Sequence, residues 1–109
     1  MALVSNESDS LFRLALNGGE GKYGFLDIVD EYSGTKAANL ANYSIGMSYL
    51  NLKEYDNAII YLEKFKSNDI LLQSISLGTI GDCFSELNQP DEAFEYYQKA
   101  FKHLSLIHI

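Results

Sequence analysis

Basic residues are scarce in this chain of 109 residues. Eight Lys and Arg stand against fifteen Asp and Glu, a formal net charge of −7. Nucleic acids and anionic membrane surfaces call for clustered Lys and Arg. Neither is expected as a partner, which leaves a protein or peptide of basic or apolar character. Cysteine occurs once, at Cys83, so no disulfide can close within the chain and cysteine usage says nothing about redox compartment. The single proline, Pro90, leaves the rest of the chain free of the strongest helix breaker. No apolar run approaches the ~18 residues of a membrane span. Residues 1–4 are too short for the apolar core of a signal peptide. This segment is therefore not expected to insert into a membrane, although a piece of an anchored protein would read the same way.

Catalytic and metal-binding patterns are missing too. His103 and His108 are five apart and share no helix face, and no carboxylate or thiol stands at ligand spacing from them. No Ser–His or Cys–His signature supports a nucleophile. No metal, no cofactor and no enzyme activity are expected. Gly19, Gly21 and Gly24 have the spacing of a dinucleotide fingerprint. That fingerprint works only between a buried strand and a crossover helix, and here a helical pattern precedes it. A loop between helices accounts for these glycines. The sequons at Asn6 and Asn42 are short patterns, the second inside a packed helix.

What the chain has is apolar character with a period. Nearly half of it is apolar, with eight Tyr and six Phe, which is not a disordered composition. Residues 42–64 read as two short helices joined by a tight turn, and residues 77–99 repeat them. Ile45, Gly46, Tyr49, Ala58 and Leu62 recur as Ile80, Gly81, Phe84, Ala93 and Tyr97, each pair 35 positions apart. Self-similarity at that period marks a helical solenoid.

Taken in order, residues 1–7 have no period and are expected to fray. Ser8, Asp9 and Ser10 offer N-cap oxygens for a first helix, carrying Leu11, Phe12, Leu14, Ala15 and Leu16 and ended by Asn17 and Gly18. A second helix spans about residues 22–32, with Asp27, Asp30 and Glu31 on a solvated side. Ser33 and Gly34 stop it and Thr35 caps the third, residues 36–52. That helix is apolar on two sides, as a sandwiched helix must be. Gly46 costs about 1 kcal/mol relative to Ala, a cost that close approach of a neighbouring helix would offset. The fourth helix covers residues 55–66, with Ile59, Leu62 and Phe65 as its buried edge and Ala58 small at the crossing. Ser67, Asn68 and Asp69 cap the fifth, residues 70–87, in which Cys83 is a small buried hydrophobe. Pro90 opens the sixth at the position where a missing N–H is no loss. Its residues Phe94, Tyr97, Phe101 and Leu104 are expected to be uncovered, so further repeats, another chain or a copy of this one would have to shield them.

These residues resemble the tetratricopeptide repeat. The first repeat departs from the family pattern at Asn42, at Phe65 where the family favours Ala, and at Ile70 in place of Pro. The second, with Leu77, Ile80, Gly81, Phe84, Ala93, Tyr97 and Ala100, is a better match. The resemblance implies an all-α fold, a right-handed superhelical stack of antiparallel helix pairs. One domain, residues 1–109, would hold a degenerate pair (8–34), a first repeat (35–68), a second (69–104) and a tail (105–109). It would be a fragment of a longer protein. The runs 23–43 and 54–65 are further similar to repeat domains of bacterial cell-envelope proteins of the ancillary translocon and cell-division coordinator type. These are anchored in the membrane and face the periplasm.

The resemblance also implies a function. Such domains mostly bind peptides or protein surfaces in a groove lined by the first helix of each pair. Carried onto this chain, the groove holds Leu40, Tyr43, Met47, Leu50 and Asn51, then Ile75, Gly78, Asp82, Ser85 and Glu86. Tyr43 and Met47 stand where repeats that clamp a terminal carboxylate have basic or amide residues, and Asp82 would repel one, so that subtype is rejected. The bland alternative is that Tyr43 and Met47 merely pack against the preceding helix pair as core. Two other functions are open. One is a homodimer through Phe94, Tyr97, Phe101 and Leu104; the other is a regulatory fragment of a larger enzyme.

Overall fold

The computed structural model describes residues 2–18 and 24–106, with side chains from residue 8 onward. Its elements are six helices: α1 (Ala2–Asn17), α2 (Phe25–Glu31), α3 (Lys36–Asn51), α4 (Tyr55–Lys64), α5 (Ile70–Glu86) and α6 (Pro90–Leu104). No strand occurs among the described residues. Helices α3 and α4 pack as one pair and α5 and α6 as another, and α4 lies against α5. The result is an all-α solenoid in which each pair contacts the next.

Local chemistry sets the helix ends. The Thr35 hydroxyl accepts the Ala38 N–H at 3.1 Å, and the Asp69 carboxylate accepts the Leu72 N–H at 3.1 Å, each satisfying an amide with no partner inside its helix. Helices α3 and α5 finish in the same way. Lys53 and Asn88, 35 apart, take positive φ of 62° and 59°. Beyond them the Glu54 N–H returns to the Tyr49 carbonyl and the Gln89 N–H to the Phe84 carbonyl, both at 2.9 Å. This is a Schellman ending, which reverses the chain within three residues.

The period is also written into the packing. A Cβ on Gly46 would lie 2.5 Å from Leu62 Cγ, and one on Gly81 would lie 2.7 Å from Tyr97 Cε1. Both glycines exist so that two helices can meet at backbone distance, with Ala58 and Ala93 buried alongside. Leu62, Ile80 and Cys83 are almost fully enclosed and join Ala58 and Ile59 in the central cluster. Each such aliphatic side chain contributes about 1.5–3 kcal/mol on burial.

Three expectations change. Helix α1 begins at Ala2, so residues 2–7 are helical rather than frayed, and Ser8, Asp9 and Ser10 lie inside the helix instead of capping it. Of its expected apolar face, Leu16 is buried while Leu11 and Leu14 are exposed; an ion pair of 3.0 Å from Arg13 to Glu54 ties α1 to the α3–α4 turn. Helix α2 starts at Phe25, with Gly24 at its N-cap. Gly19 and Gly21 lie outside the described residues. Helix α4 stops at Lys64 and not at residue 66. The Asn39 side chain takes both backbone groups of Lys66, accepting its N–H at 3.0 Å and donating to its carbonyl at 2.6 Å. Phe65 turns into extended backbone, is buried, and sets its ring 5.0 Å from that of Tyr43. The departure from Ala at this position is thereby explained: Phe65 fills the end of the pair from outside the helix.

Candidate functional site

Helix α5 is the element from which the site is built. Successive residues turn by about 100° around a helix. Asp82, Ser85 and Glu86 therefore share one face, opposite Gln73, Leu77 and Ile80. On the first face a cavity of about 450 Å³ opens between the two repeats. Leu50 and Asn51 enter it from the end of α3, Asp82, Ser85 and Glu86 from α5, and Tyr97 from α6. Lys53 and Tyr55 reach it from the turn that the positive φ of Lys53 creates.

Five of the expected groove residues, Leu50, Asn51, Asp82, Ser85 and Glu86, are thus brought together. Leu40 is exposed, away from this cavity. Tyr43 and Met47 are half-buried against the Ala58–Ile80 cluster of α4 and α5, Tyr43 with its ring on Phe65. They thus pack with their own and the following pair, and not with the preceding pair alone as expected from the sequence. Lys53, Tyr55 and Tyr97 were not foreseen on this side. The period holds a signal for Lys53, since its partner Asn88 is a residue that favours positive φ.

Two carboxylates, Asp82 and Glu86, face one cation, Lys53, in this lining. Tyr97 donates its hydroxyl to Asp82 Oδ1 at 2.5 Å. That bond, then burial, then the Asp82 charge push the phenol up to about 12, so Tyr97 stays a neutral donor at physiological pH. Burial first, and then the Asp82 and Glu86 charges, raise the Cys83 thiol to about 11. A thiol so held is protonated and enclosed, the opposite of a nucleophile. Asn42 is buried, which removes its sequon from reach. Among the described residues no group of three His, Cys, Asp or Glu could hold a metal, and no helix is long and apolar enough to cross a membrane.

The four residues expected on the outer face of α6 are all exposed: Phe94 by 63%, Tyr97 by 40%, Phe101 by 72% and Leu104 by 43%. Tyr97 differs from the others because its ring covers Gly81 and its hydroxyl is engaged.

Compared with known proteins, residues 41–69 and 75–102 both match the family model described as the tetratricopeptide repeat. These two segments make up just over half of the chain. The chain belongs to the tetratricopeptide repeat family. Its repeats generally mediate protein–protein interaction, and such proteins are typically non-catalytic scaffolds. No curated protein and no solved structure matches the chain. The matched tetratricopeptide segments fall on the α3–α4 and α5–α6 pairs, each beginning within the first helix of its pair, and the glycines and turns of these pairs repeat at 35 residues.

Proposed function

We propose that this chain is a non-catalytic scaffold that holds an extended or helical protein segment, apolar with positive charge, between α3 and α5. The observation that carries this reading is the acidic cavity, where Asp82 and Glu86 stand across from Leu50 and Asn51. Leu50 supplies an apolar wall, Tyr97 a hydroxyl, and the carboxylates a negative field that speeds encounter with a basic segment. Leu40, exposed, and Tyr43 and Met47, half-buried in packing, lie further back along the same helix, and what they leave open would meet the far end of a longer ligand. Calorimetric titration with a synthetic peptide of alternating Leu and Lys tests the reading. The Glu86→Lys variant is expected to weaken binding about tenfold, as a like-charge clash at an interface does. Equal affinity for variant and wild type would contradict it.

The likeness of residues 23–43 and 54–65 to cell-envelope repeat domains supports an extension. The chain would be one part of a bacterial membrane-anchored protein facing the periplasm, with pair 8–34 ahead of repeats 35–68 and 69–104. A second reading has its own observation. Phe94 is the 35-residue counterpart of Ile59, which is only 8% exposed. A copy of the chain seated on α6 would give Phe94, Tyr97, Phe101 and Leu104 the same shelter in a homodimer. Light scattering separates these cases. A mass near 24 kDa, twice the chain's 12.2 kDa, supports the dimer, and loss of that mass in Phe101→Ala assigns it to α6. A mass that stays near 12 kDa at every concentration rejects it.

A further inference from the structure

On the opposite face of α5 lies a second cavity of different character. It has a volume of about 690 Å³ and is enclosed by α4, α5, α6 and the segment after α4. Its floor is apolar: Leu62, Phe65, Leu77 and Ile80. Its rim is basic: Lys66, Lys99, Lys102 and His103. Three of the eight Lys and Arg of a chain with net charge −7 are gathered at this one place.

The carboxylates nearby leave most of that charge free. Glu63, the acidic residue of the lining, accepts the Tyr96 hydroxyl at 2.6 Å. Lys99 lies over the Tyr96 ring at 4.3 Å and pairs loosely with Glu95 at 3.7 Å. Neither Lys66 nor Lys102 makes an ion pair among the described residues. Lys66 is held at the rim by its backbone, since both its N–H and its carbonyl are bonded to the Asn39 side chain. An ammonium group beside an apolar floor attracts a carboxylate more strongly than one surrounded by water. The cavity volume is that of a site for a few side chains, within the roughly 300–1,000 Å³ of ordinary ligand pockets.

We infer that this cleft is a second binding site, for an acidic protein segment that places an apolar side chain on Leu77 and Ile80 and carboxylates against Lys66 and Lys102. The two faces of α5 would then select partners of opposite charge. The inference does not depend on the α3–α5 groove, because the groove is tested with a basic peptide and the cleft with an acidic one.

The experiment is fluorescence anisotropy with a labelled synthetic peptide of alternating Glu and Leu. The wild-type chain is compared with a Lys66→Glu, Lys102→Glu double variant. A Lys36→Glu variant, altered outside the cleft, serves as control. Circular dichroism first checks that each variant keeps its helices. Saturable binding is expected, weakened about tenfold or more in the double variant and unchanged in the control. Amide shifts on binding should centre on Leu77 and His103. Several results would overturn the inference: no saturable binding, an equal loss in the Lys36→Glu control, or shifts centred on Asp82. If octanoate occupies the cleft while the peptide does not bind, the site belongs to a small amphiphile and the inference fails. It fails equally if the double variant abolishes self-association of the chain, because the occupant is then a second copy.

Discussion

Gly46 lies against Leu62, and 35 residues later Gly81 lies against Tyr97. The backbone arrangement is the same in both repeats, but the side chain that meets the glycine is not. Leu62 is 1% exposed and reaches from α4 to Gly46 of α3 and into the central cluster with Ile80 and Cys83 of α5. Tyr97 is partly exposed, and its ring carries a hydroxyl that reaches Asp82 in the acidic cavity. The first repeat uses this position for packing alone. The second uses it for packing and also to present a polar group to the groove. The recurring positions specify the fold, and this departure from recurrence falls at the proposed groove.

That contrast is most easily broken by filling the two glycines. Gly46→Ala forces a methyl into the enclosed Leu62 side chain. Overpacking of this kind costs about 1–3 kcal/mol, offset by about 1 kcal/mol of helix propensity. We expect a clear fall in the denaturation midpoint. In Gly81→Ala the methyl meets the half-exposed Tyr97 ring at 2.7 Å and the Ala93 carbonyl at 3.2 Å; the ring can shift but the carbonyl cannot, so a loss smaller than that of Gly46→Ala is expected. Equal losses in the two variants would mean that the repeats are equally rigid at this contact.

A smaller effect concerns the Tyr97 phenol. Its value of about 12 lies above the ordinary 10.0 chiefly because it donates to Asp82. Asp82→Asn removes the charged acceptor, and ultraviolet titration should find the phenol back towards 10. The sign for stability follows from the raised value. The protonated phenol is favoured by the fold, so its contribution is complete below pH 10 and is lost as pH climbs through 12. Leu62, its counterpart, has nothing to titrate. An unchanged Tyr97 titration in Asp82→Asn would show that burial rather than the bond holds the proton.

The smallest effect comes from giving the first turn the residue of the second. Lys53 adopts a left-handed backbone that costs an ordinary side chain roughly 1 kcal/mol, whereas Asn tolerates it. Lys53→Asn should stabilise the chain by a few tenths to about 1 kcal/mol in urea denaturation. A loss of stability instead would mean that the Lys53 side chain contributes more than its backbone costs.

The repeating features could be read directly from the sequence. The glycine contacts, the caps at Thr35 and Asp69 and the buried edge of Ile59, Leu62 and Phe65 follow from spacing and residue chemistry, which are local. The α1 start and the early end of α4 did not follow. Helix ends yield to tertiary partners, as when Asn39 captures the backbone of Lys66 from 27 residues away. The candidate site was half legible. Leu50, Asn51, Asp82 and Glu86 share faces fixed by helix geometry alone. Tyr43 and Met47 sit on a helix that is apolar on two sides, and the sequence does not say which side meets solvent. Tyr97 joins the site through the length of its side chain and its bond to Asp82, neither of which a period encodes. The basic cleft escaped notice because Lys66, Lys99 and Lys102 are scattered along the chain and meet only when α4 and α6 flank α5.

One measurement addresses the acidic groove most directly: backbone amide shifts during titration with the alternating Leu and Lys peptide. The largest changes are expected at Leu50, Asn51, Asp82 and Glu86, with Tyr43 and Met47 affected less and Leu77 not at all. Changes centred on Leu77 and His103, or none up to millimolar peptide, would contradict the account.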